Sequence, residues 1–186
     1  MKEGKYTGAF YSDYYRMTGE EYTGSFHDRI QLFTRHNIRY MYWWRKRSNP
    51  IIGKIARIML FRYSRKYGLE LGGATIGEGL YLGHPYNITV GEDVIIGKNV
   101  NLHKGVTIGR ENRGKRCGSP VIGNNVFIGI NATVIGNIKV GNDVMIAPNS
   151  FVNFDVPDHS IVIGNPATVH FKKNATEKYV GFTVGE

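Results

Sequence analysis

The chain has 186 residues, 24 of them Gly, one cysteine (Cys117) and a formal net charge of +9. That length holds one domain with a real core, or one domain plus an appendage. A single cysteine excludes an internal disulfide framework, and no stretch is apolar for long enough to span a membrane. The charge is concentrated: residues 26–67 hold eleven Lys and Arg against one acid, Asp28, while the part before carries −1 and the part after is neutral. Such a run is ordinarily a solvated face.

Residues 1–24 are polar and rich in tyrosine (Tyr6, Tyr11, Tyr14, Tyr15, Tyr22), without the apolar core of a signal peptide. A flexible arm is expected here, and a cytoplasmic location. Residues 25–68 read as a basic helical segment. Ser25 suits an N-cap with Asp28 in the first turn, and Ile30, Phe33, Ile38, Met41 and Tyr42 are the apolar positions of a first helix. Ser48-Asn49-Pro50 breaks it. A second helix runs from Pro50 to Tyr67, with Ile51, Ile52, Ile55, Ile58, Met59 and Tyr63 available for burial and Gly68 as its stop. Trp43 and Trp44 beside Arg45, Lys46 and Arg47 make a cationic, amphipathic patch. It suits an anionic membrane surface, which admits peripheral contact at the inner membrane face. The competing reading packs both Trp residues onto the rest of the fold or onto another subunit.

From residue 69 the period changes to six. Val90, Ile96, Leu102 and Ile108 keep it, and so do Ile122, Ile128, Val134, Val140, Ile146 and Val152. A helix repeats near 3.6 and a strand near 2, so a sustained period of six fits a three-sided coil: a left-handed parallel β-helix over residues 69–168, followed by a tail, 169–186. The beat fails twice. Ile76, Leu82 and Ile88 are six apart, but Val90 restarts two residues late, around His84-Pro85-Tyr86-Asn87. After Ile108 the next clean rung is Ile122, and the polar residues 110–119 between them read as a loop.

Histidine is the usual general base near neutral pH. His27 and His36 fall in the helical segment; His84 and His103 are placed at coil corners, facing away from the core. An apolar β-helix has no pocket inside, so sites are expected in grooves between subunits of a trimer.

The runs Ile76-Gly-Glu-Gly-Leu-Tyr-Leu-Gly-His84, Val90-Gly-Glu-Asp-Val-Ile-Ile-Gly97, Gly105-Val-Thr-Ile-Gly109, Pro120-Val-Ile-Gly-Asn-Asn-Val-Phe-Ile-Gly129 and Gly164-Asn-Pro-Ala167 resemble the hexapeptide-repeat acyltransferases, the serine acetyltransferase branch most closely. The resemblance implies a homotrimer, acetyl-CoA as co-substrate, no metal and no nucleic-acid partner. It implies His84 as the base, with Glu70 as a substitute for the aspartate that orients it; that aspartate falls at Leu69. For the donor it points to Gly109, Gly129, Ile130, Ala147 and Pro148, with Arg110, Lys172 and Lys173 as candidates to meet the phosphates. Two positions depart from the family: Gly83 replaces an aspartate before the histidine, and Ser119 replaces a second histidine. Both family groups bind serine. A saccharide hydroxyl is therefore the expected acceptor, with Tyr86, Asn87, His103 and Ser119 around it. Three readings compete: serine acetyl transfer, a non-catalytic trimeric scaffold, and a metal-dependent hydratase, which needs a third histidine that the coils lack.

Overall fold

The computed structural model describes residues 8–185. Four helices precede the coil: α1 (Ala9–Thr18), α2 (Phe26–Thr34), α3 (His36–Lys46) and α4 (Gly53–Tyr67). The coil is a left-handed parallel β-helix with three faces. The first face stacks β1 (Leu69–Glu70), β4 (Ile88–Val90), β7 (Thr107–Gly109), β10 (Thr133–Ile135) and β13 (Phe151–Val152). The second stacks β2 (Thr75–Ile76), β5 (Ile95–Ile96), β8 (Val121–Ile122) and β11 (Lys139–Val140). The third stacks β3 (Tyr81–Gly83), β6 (Asn101–His103), β9 (Phe127–Ile128), β12 (Val144–Ile146) and β14 (Ser160–Gly164), and β15 (Ala167–Phe171) closes it antiparallel to β14.

The rungs are in register. Leu82 lies beside Leu102, Leu102 beside Ile128, Ile128 beside Ile146 and Ile146 beside Val162 on the third face. Ile76, Ile96, Ile122 and Val140 do the same on the second, and all of these residues are buried. Each coil thus covers the apolar row of the next. Corner residues take positive φ: Asn99, Asn125, Asp143 and His159 form one column, and Asn87, Asn131 and Asn149 another, where a short polar side chain tolerates the left-handed region.

The expected flexible arm is a correction. Residues 1–7, with Tyr6, lie outside the described residues, but 9–18 form α1, with Phe10, Tyr14 and Met17 buried against the first coil. Its polar side chains dock it. The buried Asp13 accepts two bonds from Arg45, at 2.8 and 2.9 Å, and one from Leu80 N at 2.8 Å. Burial pushes the Asp13 carboxyl up to about 6, against the pull of Arg45. The buried Arg16 donates to Gly79 O and to Asn101 Oδ1.

The helical segment differs in three ways from its expected form. Arg35 turns extended (φ −94°, ψ 109°) and splits the first helix into α2 and α3, while Ser25 and Asp28 form a capping box as expected. Ile51, Ile55, Ile58, Ile30 and Phe33 are exposed rather than buried. The covered stripe of α4 is Gly53, Ala56 and Tyr63, because small residues allow close approach: a Cβ on Gly53 would lie 2.8 Å from Arg47 O. Finally, the patch at residues 43–47 turns inward. Trp44 is buried, Arg47 stacks 3.6 Å over its ring, and Arg45 donates to Asp13, Ile76 O and Gly77 O. No helix of the described residues is long and apolar enough to cross a membrane.

The tail folds back rather than trailing. Asn99 exchanges two bonds with the Val184 backbone, at 3.0 Å each, and Asn101 Nδ2 donates to Tyr179 O. Asp143 anchors the turn before it, accepting from Ala175 N, Thr176 and the His159 ring.

Candidate active site

His84 owes its position to two extra residues. On the edge from third to first face, Leu102 to Val106, Ile128 to Ala132 and Ile146 to Ser150 each span four positions, whereas Leu82 to Ile88 spans six. His84-Pro85 is the bulge. His84 is exposed with φ 47°, and its carbonyl accepts from Tyr86 N at 2.8 Å. No side chain among the described residues is hydrogen-bonded to its imidazole.

Above the bulge the edge is a ladder. Gly105 N donates to Tyr86 O, Asn131 N to Lys104 O and Asn149 N to Ile130 O. Gly129, Ile130, Ala147 and Pro148 therefore stack in one column over His84. Pro148 stands three coils above Tyr86, about 15 Å at a strand spacing of about 4.8 Å. Gly129 must stay small, because a Cβ there would lie 2.7 Å from Pro148 N.

The other expected donor residues stand elsewhere. Gly109 and Arg110 lie on the edge from first to second face, where Arg110 pairs with Asp93 at 3.3 Å. Lys172 and Lys173 follow β15, with Lys172 N bonded to His159 O at the edge from second to third face. One chain does not bring these four to the His84 column.

The acceptor residues divide similarly. Tyr86 is half-exposed beside His84, its ring 5.0 Å from His36 and 5.8 Å from Tyr67. Asn87 is the corner residue of its column, and its side chain meets Gly68, so its first role is in the turn. Ser119 ends the 110–119 loop, which is closed by paired Glu111 and Gly118 on the edge from first to second face. It shares no edge with His84. Glu70 accepts from Ser64 Oγ at 2.6 Å, and its backbone pairs with Thr89. Nothing in the structure links it to His84.

His103 is not at a corner. It ends β6 beside Gly83, half-buried between Tyr81 and Phe127 at 6.0 and 4.7 Å. A Cβ on Gly83 would lie 2.5 Å from His103 Cε1. The imidazole occupies the place a side chain at 83 would take, so the glycine at 83 and the placement of the His103 ring are one packing solution. Burial, and then the neighbouring His84, hold the His103 imidazole below the usual range. Its buried Nε2 has no hydrogen-bond partner among the described residues and lies by a cavity of ≈ 350 Å³ formed by α1, the third face and the tail.

Sequence reasoning missed His36. It comes from α3 to stack on Tyr67 at 4.4 Å, and its Nε2 lies 3.2 Å from Pro85 O, inside the His84 bulge. The signal was absent because the contact joins residues 49 apart. Among the described residues, no group of three His, Cys, Asp or Glu could hold a metal ion.

The bacterial transferase hexapeptide family (six repeats) matches residues 119–153. The chain is 40% identical over 116 residues to serine acetyltransferase 2 of Arabidopsis thaliana, covering 61% of this chain and 35% of the relative. It is 43% identical over 105 residues to serine acetyltransferase of Staphylococcus aureus, covering 55% and 48%. Soybean serine acetyltransferase complexed with serine superposes at a TM-score of 0.57 with 31% identity, over 73% of this chain and 54% of that one. A serine acetyltransferase complex with CoA reaches 0.61 with 28% identity, over 72% and 56%. The coil and the family match at residues 119–153 both show hexapeptide repeats in this chain. Its repeat region closely matches serine acetyltransferases, although the chain spans about a third to a half of the curated relatives' length.

Proposed function

We propose that this chain is an acetyl-CoA-dependent O-acetyltransferase with His84 as its base. One observation carries the reading: a two-residue bulge lifts His84 out at the foot of the column that holds Gly129, Ile130, Ala147 and Pro148. Acetyl-CoA supplies the acetyl thioester. Gly129, Ile130, Ala147 and Pro148 hold its arm along the edge. His84 takes the proton of the acceptor hydroxyl as that oxygen attacks the acetyl carbon, and gives it to the departing sulfur. Backbone N–H groups of the groove meet the developing oxyanion. A homotrimer is part of the proposal: Ser119 and Arg110 stand on a different edge, and a neighbouring copy's edge would supply them to the His84 groove. A cytoplasmic location is part of the same proposal, in keeping with acetyl-CoA as donor.

For the acceptor, the relatives support serine over the saccharide expected from sequence. The saccharide keeps one specific support: Gly83, covered by His103, and Ser119 leave the groove without the carboxylate and imidazole that the family uses for serine. CoA release from acetyl-CoA with serine, and with a panel of sugars, tests both. Turnover with serine and none with sugars establishes the serine enzyme; the reverse establishes the saccharide.

A further inference from the structure

Beside the His84 bulge, α3 and α4 form a groove of ≈ 710 Å³ lined by Arg39, Arg62, Arg65, Lys66, Tyr63 and Tyr67. We propose that this groove binds a phosphate or diphosphate group. Four cationic residues line it, and no carboxylate among the described residues forms an ion pair with any of them. The sequence has no acid between Asp28 and Glu70, so none is available locally.

A basic run on a convex face would need no ligand, since water solvates it. This one is concave. Its floor is the stacked pair Tyr63 and Tyr67, 5.8 Å apart and 17° from parallel. Arg39 reaches the floor, 5.5 Å over the Tyr63 ring; its Nη1 donates to Phe33 O, and its buried Nε has no hydrogen-bond partner among the described residues. Guanidinium forks suit phosphate oxygens, and a bound anion offsets the repulsion among like charges held close together.

The groove is joined to the bulge. Tyr67 stacks on His36, His36 Nε2 meets Pro85 O, and the Tyr67 ring packs edge-on to Tyr86. Burial holds the His36 imidazole low, against its Pro85 contact, and Arg39 and Lys66 depress it further, so groove charge is felt at the turn that carries His84. The ligand's phosphate could come from a phosphorylated small molecule or a lipid headgroup. The site goes beyond acyl transfer and does not depend on it.

The test is calorimetric titration with inorganic pyrophosphate. Wild type is expected to bind saturably, at least tenfold tighter than the Arg62→Gln/Arg65→Gln/Lys66→Gln protein. All three side chains are exposed, so the fold survives. Lys54→Gln/Arg57→Gln, which removes two cations of the same helix outside the groove, is the control and should bind as wild type. Sedimentation with phosphatidylglycerol–phosphatidylcholine vesicles forms the second arm. Vesicle binding lost in the triple variant, without pyrophosphate binding, assigns the phosphate to a headgroup; pyrophosphate binding without vesicle binding assigns it to a small molecule. No binding in either arm, or equal loss in the control, overturns the site. An equal loss of CoA binding in the triple variant also overturns it, because the groove then belongs to the donor. Acetyl transfer needs no measurement here, so failure of the site and failure of the enzymatic reading are separate results.

Discussion

Along the coil each rung repeats its neighbour: Leu82, Leu102, Ile128, Ile146 and Val162 stack like on like. Under the first coil nothing repeats. There the buried Asp13 and Arg16 and the largely covered Arg45 form a polar lattice that ties α1 and α3 to the backbone of residues 76–80. The coil is held by many interchangeable contacts, the cap by a few specific ones. Damage to a rung is a matter of volume. Damage to the cap leaves a buried charge without its partner.

The largest expected effect follows from that contrast. Asp13→Ala strands the Arg45 guanidinium and should destabilise the protein by about 3–5 kcal/mol, read as a lower denaturant midpoint. A midpoint within error of wild type would mean the lattice holds nothing. Ile128→Ala, in mid-coil, should cost about 2–5 kcal/mol, set by the cavity it leaves. Matching losses at Ile96 and Ile146 would support interchangeable rungs, while a loss confined to one would break the comparison.

Gly83→Asp should cost about 1–3 kcal/mol, since its side chain must displace the His103 ring. Adding His103→Gly should recover part of that loss; additive losses in the double variant would show that the two positions do not share space. The smallest effect is one of pH. Folding holds the His103 imidazole below its unfolded range, so its contribution is present above about pH 6.5 and is lost as pH falls through the folded value. Wild type should therefore lose stability in this acid range faster than His103→Phe, and parallel curves would exclude the ring as the cause.

The same contrast explains what the sequence displayed. A six-residue beat is a local signal, so the three faces, the loop at 110–119 and the bulge at His84 were all legible as rhythm and its failures. The cap was not. The covered stripe of α4 is its small residues, and Gly53 and Ala56 look unremarkable beside Ile51, Ile55 and Ile58, which point outward. Tyr-rich residues 9–18 read as loose because their partners, Arg45 and Leu80, lie 32 and 67 positions away. In the site, His84 and the column above it followed from period and family likeness. His36 and the nesting of His103 over Gly83 did not, because each rests on a contact between separate turns of chain. Glu70 illustrates the converse: adjacency to the expected position suggested a role, but its carboxylate is given to Ser64.

For His84 as the proposed base of acyl transfer, the most direct measurement is the rate of CoA release from acetyl-CoA by wild type and His84→Ala, with serine and the sugar panel as acceptors. The expected result is turnover in wild type with at least one acceptor and a loss of about 10²–10⁴-fold in kcat for the variant, with the melting temperature unchanged because the side chain is exposed. Equal kcat in the two proteins would contradict it.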